Sequence, residues 1–326
     1  MAHKPSISLL LLGGTITMAP SSSGKSGVVP SISAADLISA VPGIENIAKV
    51  APQTVKLVAS ANIEFSDVFQ LKEKIEQLSL QDNSDGVIVV QGTDTLEEVA
   101  FLLDLILNVN IPVVVTGAMR SAKMVSADGP SNILSSVIAA SDQRLSNSGV
   151  VVLMNEEIHA ARYVQKCHTR DVAAFKSRNG GVIGQVCEGS VLINQTVEKK
   201  RSFQINDFNQ SPKVGLLKAT LADSGDFLKF FSQSDYQGLV IEAFGAGHLP
   251  ESWLGHLDQL VKQMPVMLCS RTSAGPVFEN SYGYVGAEID LIERGLIPAG
   301  ILDGPKARLY MQACLMSGAS VTKPEF

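Results

Sequence analysis

Short apolar runs alternate with helical patterns along most of the chain. In its first part the apolar runs predict five buried strands, at Ser6–Leu12, Val55–Ser60, Gly86–Val90, Pro112–Thr116 and Gly149–Met154. Apolar residues at helical spacing between them predict helices near Ala34–Val41, Asp67–Leu80, Leu96–Leu107 and Asn132–Ala140. Ser33 with Asp36 three residues later predicts a capping box before the first of these helices. This alternation is typical of a parallel sheet covered by helices.

A polar segment, residues 198–212, interrupts the periodicity and is interpreted as a linker. A smaller α/β unit is predicted after it, with strands at Val214–Lys218, Gly238–Phe244 and Pro265–Ser270 and helices near Ser252–Lys262 and Lys306–Met316. A length of 326 residues also favours two cores over one. The predicted fold class is therefore α/β, with a large N-terminal parallel-sheet domain (residues 1–197) and a smaller, flavodoxin-like C-terminal domain (residues 213–326).

Charge and composition argue against several classes of binding partner. The net charge is −6, no Lys/Arg cluster occurs, and aromatic residues make up only 6% of the chain, which argues against nucleic acid and anionic membranes. No stretch approaches the roughly 20 apolar residues of a membrane span. We therefore expect a small-molecule substrate, no nucleic acid and no membrane.

The cysteines and the first apolar run predict a cytoplasmic protein. Cys167, Cys187, Cys269 and Cys314 show no metal or redox spacing, and reduced thiols suit the cytoplasm. The run SISLLLL is short and leads directly into Gly13, so we interpret it as the first strand and not as a secretory signal.

Polar and small residues follow four predicted strands, where ligands bind in open parallel sheets. Gly13-Gly14-Thr15 allows close approach of a ligand, or is only a tight turn. After the third strand, Thr95 with Glu98 predicts a capping box, which leaves Thr93 and Asp94 without a structural explanation.

The other two strand ends are less informative by themselves. Gly117 and Ala118 are small enough for backbone contact with a ligand, whereas Arg120 is expected to pair with Asp128. Lys166, taken alone, is typical of a surface charge, and His168 of a structural hydrogen-bonding residue. The segment Thr17–Pro30 is rich in Ser, Gly and Pro and predicts either a lid or an ordinary surface loop.

Four motifs in series resemble the bacterial-type L-asparaginase and glutaminase-asparaginase family. They are GGTIT, QGTDT, TGAMRSAKMVSADGPSN and KCHTRDVAAF, and the resemblance continues through KVGLL to GPKARLYMQACL near the end of the chain. Each motif is weak alone, but the order and spacing of all four are specific, and together they span nearly the whole chain.

The resemblance implies an amidohydrolase with Thr15 as the nucleophile. It implies that Asp94 orients Lys166, the base, while Thr93 relays a proton or activates water. Backbone N–H groups near Thr15 and Ala118 would stabilise the oxyanion. Ammonia would leave from an acyl-threonine ester, water would then release aspartate, and no metal or organic cofactor would be required.

The resemblance also implies substrate contacts from Ser60, Gly92, Ala118, Asn62, His248 and Tyr282. Ser60 matches the family serine that contacts the substrate α-carboxylate, but Ala61 follows it where the family commonly has Gln or Glu, so Asn62 or Glu64 is expected to hold the ammonium. His248 replaces a family asparagine, and the predicted lid lacks the tyrosine that many members have. Members assemble as homotetramers with sites at subunit interfaces, which is the expectation here.

The sequence leaves two alternative functions open. One is the amidase subunit of a tRNA-dependent amidotransferase, which would need a partner and an RNA-facing basic surface. The other is a non-catalytic homologue that binds an amino acid in the same pocket. The sequence does not decide between asparagine and glutamine, because one methylene changes binding by only about 1–3 kcal/mol.

Overall fold

The computed structural model of the chain describes residues 4–20, 28–30, 32–81, 84–122, 124–200, 202–205 and 211–326. The chain forms two compact units, residues 1–202 and 203–326. Part of the predicted linker, residues 201 and 206–210, lies outside the described residues, so the linker stays a prediction.

The first unit is built on an eight-stranded sheet with the order β12-β11-β8-β7-β6-β5-β1-β4. The strands of this unit are β1 Ser6–Gly13, β2 Met18–Pro20, β3 Val28–Pro30, β4 Lys49–Val58, β5 Gly86–Val90, β6 Val113–Thr116, β7 Val150–Met154, β8 Glu157–Ala160, β9 Val164–Lys166, β10 Phe175–Ser177, β11 Gly184–Cys187 and β12 Ser190–Ile193. Its helices are α1 Ala34–Ser39, α2 Ile44–Ile47, α3 Phe65–Leu80, α4 Leu96–Ile106 and α5 Gly129–Ala140. Short 3₁₀ turns lie at Thr15–Thr17, Ser60–Asn62 and Gln143–Leu145.

The five parallel strands β4, β1, β5, β6 and β7 confirm the predicted α/β class. Strands β5, β6 and β7 are short runs rich in valine that are buried along their whole length, as expected when helices cover both faces of a parallel sheet. On one face, residues of β1 and β5 share a core cluster with residues of α1 and α5. The Ser33–Asp36 capping box predicted for α1 is also confirmed.

Three antiparallel strands, β8, β11 and β12, extend the sheet beyond the prediction. Each has four residues, and in β11 and β12 buried and exposed positions mostly alternate, so none of the three is long enough to resemble the buried parallel strands. The turn between β11 and β12 has positive φ angles at Glu188 and Gly189, as hairpin turns of two residues require. Edge strand β4 begins at Lys49, earlier than the predicted start at Val55. Its first half was not predicted because most of the strand is exposed and that half carries no continuous apolar pattern.

The second unit contains a four-stranded parallel sheet and confirms the smaller α/β domain. Its elements are β13 Val214–Lys218, β14 Gly238–Ala243, β15 Val266–Ser270, β16 Ile297–Pro298, α6 Leu228–Ser232, α7 Glu251–Leu260, α8 Glu288–Glu293 and α9 Gly304–Ser317. The strands lie in chain order, whereas a flavodoxin sheet has the order 2-1-3-4-5. Trp253 and Leu257 of α7 pack in its core, and Cys269 and Cys314 are buried as small apolar residues.

Among the described residues, no helix has both the length and the apolar character needed to span a bilayer.

Candidate active site

Three glycines let the segments that follow neighbouring strands approach one another closely. A Cβ atom on Gly14, whose φ is +93°, would lie 2.2 Å from the Gly92 nitrogen. One on Gly92 would lie 2.7 Å from Ser60 Oγ, and one on Gly117 would lie 2.5 Å from the Gln91 carbonyl oxygen. Only glycine permits such close approach. The segments that carry Thr15, Thr93, Ser60 and Ala118 therefore meet at one edge of the sheet.

Lys166 reaches this edge from the end of β9. Its Nζ donates to Thr93 Oγ1 at 2.9 Å and to Asp94 Oδ1 at 2.6 Å. The Thr93 side chain is buried and that of Lys166 is 16% exposed, whereas that of Asp94 is 70% exposed. The Lys166 backbone N–H donates to Glu97 on α4, which fixes the end of β9. The structure thus brings together three of the four predicted catalytic side chains in direct hydrogen bonds.

Thr15 begins a 3₁₀ turn directly after Gly14. The Thr17 N–H and hydroxyl both bond to the Gly14 carbonyl, at 2.9 and 2.8 Å, and hold the turn closed. Ile16 is buried, and a Cβ on Gly129 would lie 2.8 Å from its Cγ1, so α5 packs directly on this turn. Thr15 itself is half-buried. Of the predicted lid, residues 21–27 lie outside the described residues; β2 and β3 flank them as an antiparallel pair.

Ser60 is buried beside the Thr93–Asp94 segment. Its Oγ accepts from the Asp94 N–H at 3.3 Å, and its carbonyl accepts from Thr95 Oγ1 at 3.0 Å. The predicted Thr95–Glu98 capping box is therefore wrong, because the Thr95 side chain makes no cap bond and connects two loops of the site. Sequence reasoning missed this role, since the local pattern of a cap hides a long-range contact. Asn62 is exposed on the same turn as Ser60.

The predictions for Arg120 and His168 can be compared directly with the hydrogen bonds of the structure. Asp128 does bind Arg120, but through the Arg120 backbone N–H at 2.9 Å, while the guanidinium donates to Ser126. His168 is a structural residue, as predicted, since its Nδ1 accepts from the N–H groups of Arg170 and Asp171.

His248 and Tyr282 lie together in the second unit. Their ring centroids are 5.0 Å apart, with Tyr284 also against the imidazole, and His248 Nε2 lies 3.1 Å from Glu288 Oε2. Although burial raises the pKa of Glu288, hydrogen bonds from the Tyr282 and Ser281 N–H groups and from His248 hold that pKa below its usual range. Glu288 was missed from the sequence, because an acidic residue in the first turn of a helix is usually a surface group.

The first-unit cluster has the parts of an enzyme that attacks a carbonyl group with a hydroxyl. It combines threonine hydroxyls, an amine and a carboxylate that contacts it. The backbone N–H groups of Thr15 and Thr93 make no hydrogen bond with any residue that the structure describes, so they are available to a ligand.

Comparison with known proteins identifies the family. Residues 6–199 match the family model described as "Asparaginase, N-terminal", and residues 213–324 match "Glutaminase/Asparaginase C-terminal domain". The chain is 34% identical to L-asparaginase 2 of Escherichia coli, over 95% of this chain and 89% of that protein. It is 36% identical to a probable L-asparaginase of Deinococcus radiodurans, over 98% of this chain and 95% of the other.

A solved structure agrees with these matches. The crystal structure of a probable cytoplasmic L-asparaginase from Campylobacter jejuni superposes with a TM-score of 0.84 at 31% identity, covering 96% of this chain and 95% of that one. The chain belongs to the asparaginase family and is a hydrolase.

Proposed function

We propose that the chain hydrolyses the side-chain amide of L-asparagine to L-aspartate and ammonia through an ester on Thr15, with L-glutamine as a secondary substrate. The observation that carries this proposal is the position of Lys166, whose Nζ bonds to both Thr93 Oγ1 and Asp94 Oδ1 beside the contact of Gly14 with Gly92. Relatives described as L-asparaginases support the choice of substrate.

In the first half-reaction, Thr15 Oγ attacks the side-chain carbonyl carbon of asparagine. The hydroxyl proton is transferred, through Thr93 and Lys166, towards the departing nitrogen. The negative charge on the carbonyl oxygen is stabilised by backbone N–H groups near Thr15 and Ala118, each worth roughly 3–4 kcal/mol in comparable sites. The C–N bond then breaks, ammonia leaves, and the aspartyl group stays as an ester on Thr15.

In the second half-reaction, a water molecule attacks the ester carbonyl. Thr93 and Lys166 accept its proton, while Asp94 keeps the lysine amine oriented. The ester C–O bond breaks, the proton returns to Thr15 Oγ, and aspartate is released. The cycle uses only side chains, backbone groups and water, so we propose no metal or organic cofactor.

Substrate recognition is proposed to begin with Ser60 at the α-carboxylate and with Gly92 and Ala118 beside the amide. Asn62 is exposed on the Ser60 turn and is a candidate for the ammonium group. We further propose a homotetramer in which His248 and Tyr282 complete the site of a neighbouring subunit, as the family resemblance implies.

A cytoplasmic location is also proposed. The Campylobacter jejuni relative is described as cytoplasmic, while a relative from Haemophilus influenzae, 33% identical, is described as periplasmic. Fractionation of the native host followed by immunoblotting would decide between the two compartments.

Ammonia release from L-asparagine and L-glutamine by the purified chain tests the proposed reaction. We expect turnover of asparagine without a partner protein or RNA, and losses of several orders of magnitude in Thr15→Ala and Lys166→Met. Lys176→Met is the matched control, because Lys176 lies on β10, paired with β9, its side chain is 43% exposed, and its Nζ pairs with Glu157 and not with Thr93 or Asp94. Full activity in either active-site variant would refute the assigned roles.

The same assay separates the alternatives. Ammonia release that requires a partner or tRNA would favour the amidotransferase subunit. Asparagine binding measured by calorimetry, without any turnover, would favour the non-catalytic homologue.

A further inference from the structure

The peptide groups on both sides of Ala118 are held by two side chains at the start of α5. Asn132 Nδ2 donates to the Gly117 carbonyl at 3.0 Å. Asp128 Oδ2 accepts from the Met119 N–H at 2.9 Å. Ala118 is fully buried and Asn132 is 1% exposed, so the Asn132 bond is protected from water, while the Asp128 bond is partly buried.

These two bonds decide where the main-chain groups of Ala118 point. In a planar trans peptide the C=O and N–H point in opposite directions. Because Asn132 holds the Gly117 carbonyl, the Ala118 N–H of the same peptide points away from Asn132. Because Asp128 holds the Met119 N–H, the Ala118 carbonyl points away from Asp128.

Both groups of Ala118 are left for a ligand. Neither its N–H nor its carbonyl has a hydrogen-bond partner among the described residues, although buried main-chain groups are nearly always paired. The segment lies against the proposed site, because a Cβ on Gly117 would be 3.3 Å from Thr93 Cγ2.

The two side chains are themselves fixed. Asn132 Oδ1 accepts from the Asn155 N–H at 3.0 Å, and Asp128 Oδ1 accepts from the Arg120 N–H at 2.9 Å. Asn132 Nδ2 also lies 3.2 Å from Asp128 Oδ2, which joins the pair. Neither the amide nor the carboxylate can rotate without losing a second bond, so the pair holds Ala118 rigidly.

We propose that Asp128 and Asn132 are positioning residues that direct the Ala118 N–H and carbonyl at the reacting amide. The inference rests on the proposed function. A primary amide offers one acceptor and donor hydrogens, which match the N–H and the carbonyl of Ala118. The ionised carboxylate product offers only acceptors, so the Ala118 carbonyl repels it. The pair therefore favours the amide substrate over its product and holds one donor ready for the oxyanion.

The test compares Asn132→Asp with the wild type and with Ser136→Ala. Ser136 is a matched control because it is buried one turn further along α5. Its hydroxyl donates to the main-chain carbonyl oxygen of Asn132 and makes no hydrogen bond to the peptides of Ala118. In Asn132→Asp an ionised oxygen replaces the donor to Gly117. We expect kcat to fall by about 100-fold or more, as for the loss of one oxyanion donor, with a much smaller change in KM. Ser136→Ala should lower only the melting temperature.

The pH dependence separates positioning from a general structural defect. A protonated carboxyl can again donate to the Gly117 carbonyl, and burial together with the Asp128 carboxylate, whose Oδ2 lies 3.2 Å from Asn132 Nδ2, raises the pKa of the new carboxyl. The ratio of variant to wild-type kcat should therefore rise as the pH is lowered. Equal kcat values for Asn132→Asp and Ser136→Ala, or a ratio independent of pH, would overturn the inference.

A second variant covers the case in which Asn132→Asp does not fold. Asp128→Asn keeps one acceptor oxygen, which can serve only one of the Met119 and Arg120 N–H groups. We therefore expect kcat to fall and the ratio of the inhibition constant for aspartate to the KM for asparagine to decrease. Unchanged kcat and unchanged inhibition in Asp128→Asn would overturn the inference. Failure of the wild type to release ammonia from asparagine would refute the proposed function instead.

Discussion

Replacing Gly14 by alanine tests whether close backbone contact assembles the site. The new Cβ would lie 2.2 Å from the Gly92 nitrogen, 2.4 Å from Gly92 Cα and 2.5 Å from the Gln91 carbonyl carbon. All three are main-chain atoms, so no side chain can rotate away. To reach an ordinary contact of 3.4 Å the two backbones must separate by about 1.2 Å. Because Thr15 follows Gly14 and Thr93 follows Gly92, this movement would increase the distance between Thr15 and Thr93.

Two separate costs follow from this geometry. A non-glycine residue at φ +93° is strained by about 1–3 kcal/mol, and overpacking adds about 1–3 kcal/mol. We therefore expect Gly14→Ala to lower the free energy of unfolding by about 2–6 kcal/mol. A displacement of 1 Å within a catalytic group can cost about 10²-fold in rate, so activity should fall by at least that factor.

Gly43→Ala isolates the strain from the clash. Gly43 has a similar φ of +81°, but a Cβ there would meet nothing closer than Asn46 Nδ2 at 3.9 Å. Urea unfolding and ammonia release are measured on both variants. If Gly14→Ala loses no more stability than Gly43→Ala and keeps wild-type activity, the contact of Gly14 with Gly92 does not assemble the site.

Two further predictions concern α5 and a buried histidine. Gly129→Ala would place a Cβ 2.8 Å from Ile16 Cγ1, a side chain that can shift, so we expect a loss of about 1–3 kcal/mol and a smaller drop in activity than for Gly14→Ala. Gly255→Ala, in α7 with open space around it, should instead gain about 0.5–1 kcal/mol, and an equal loss in both would contradict the packing argument. Burial, reinforced by the charge of Lys176, lowers the pKa of His159 from 6.5 to about 4. Between these two pH values only the unfolded chain binds a proton at this residue. The free energy of unfolding of the wild type should therefore fall by about 3 kcal/mol as the pH drops from 6.5 to about 4. This part of the loss should be absent in His159→Gln. Identical slopes of unfolding free energy against pH in the two proteins would show that His159 does not titrate this way.

The parallel part of the fold could be predicted because its strands are buried on both faces. Residues 86–90 form a continuous apolar run, and the predicted bounds agree with β5. Strands β9 and β10 could not be found in this way, since each has only three residues and β9 includes charged Lys166. Their pairing depends on contacts made elsewhere in the chain.

The site was predictable only in part from local patterns. Small and polar residues after the strands pointed to the correct edge of the sheet, but Lys166 is 72 residues from Asp94, and no local pattern predicts that they meet. The family resemblance supplied that pair. Thr95 shows the opposite case, because a plausible helix cap concealed a contact with Ser60 that only the tertiary structure reveals.

Rapid acid quenching during turnover, followed by mass spectrometry of the digested protein, tests most directly whether Thr15 carries the aspartyl group. We expect an aspartyl increment on the peptide that contains Thr15 in the wild type and its loss in Thr15→Ala. An increment on the peptide that contains Thr93, or undiminished turnover by Thr15→Ala, would show that Thr15 is not the nucleophile.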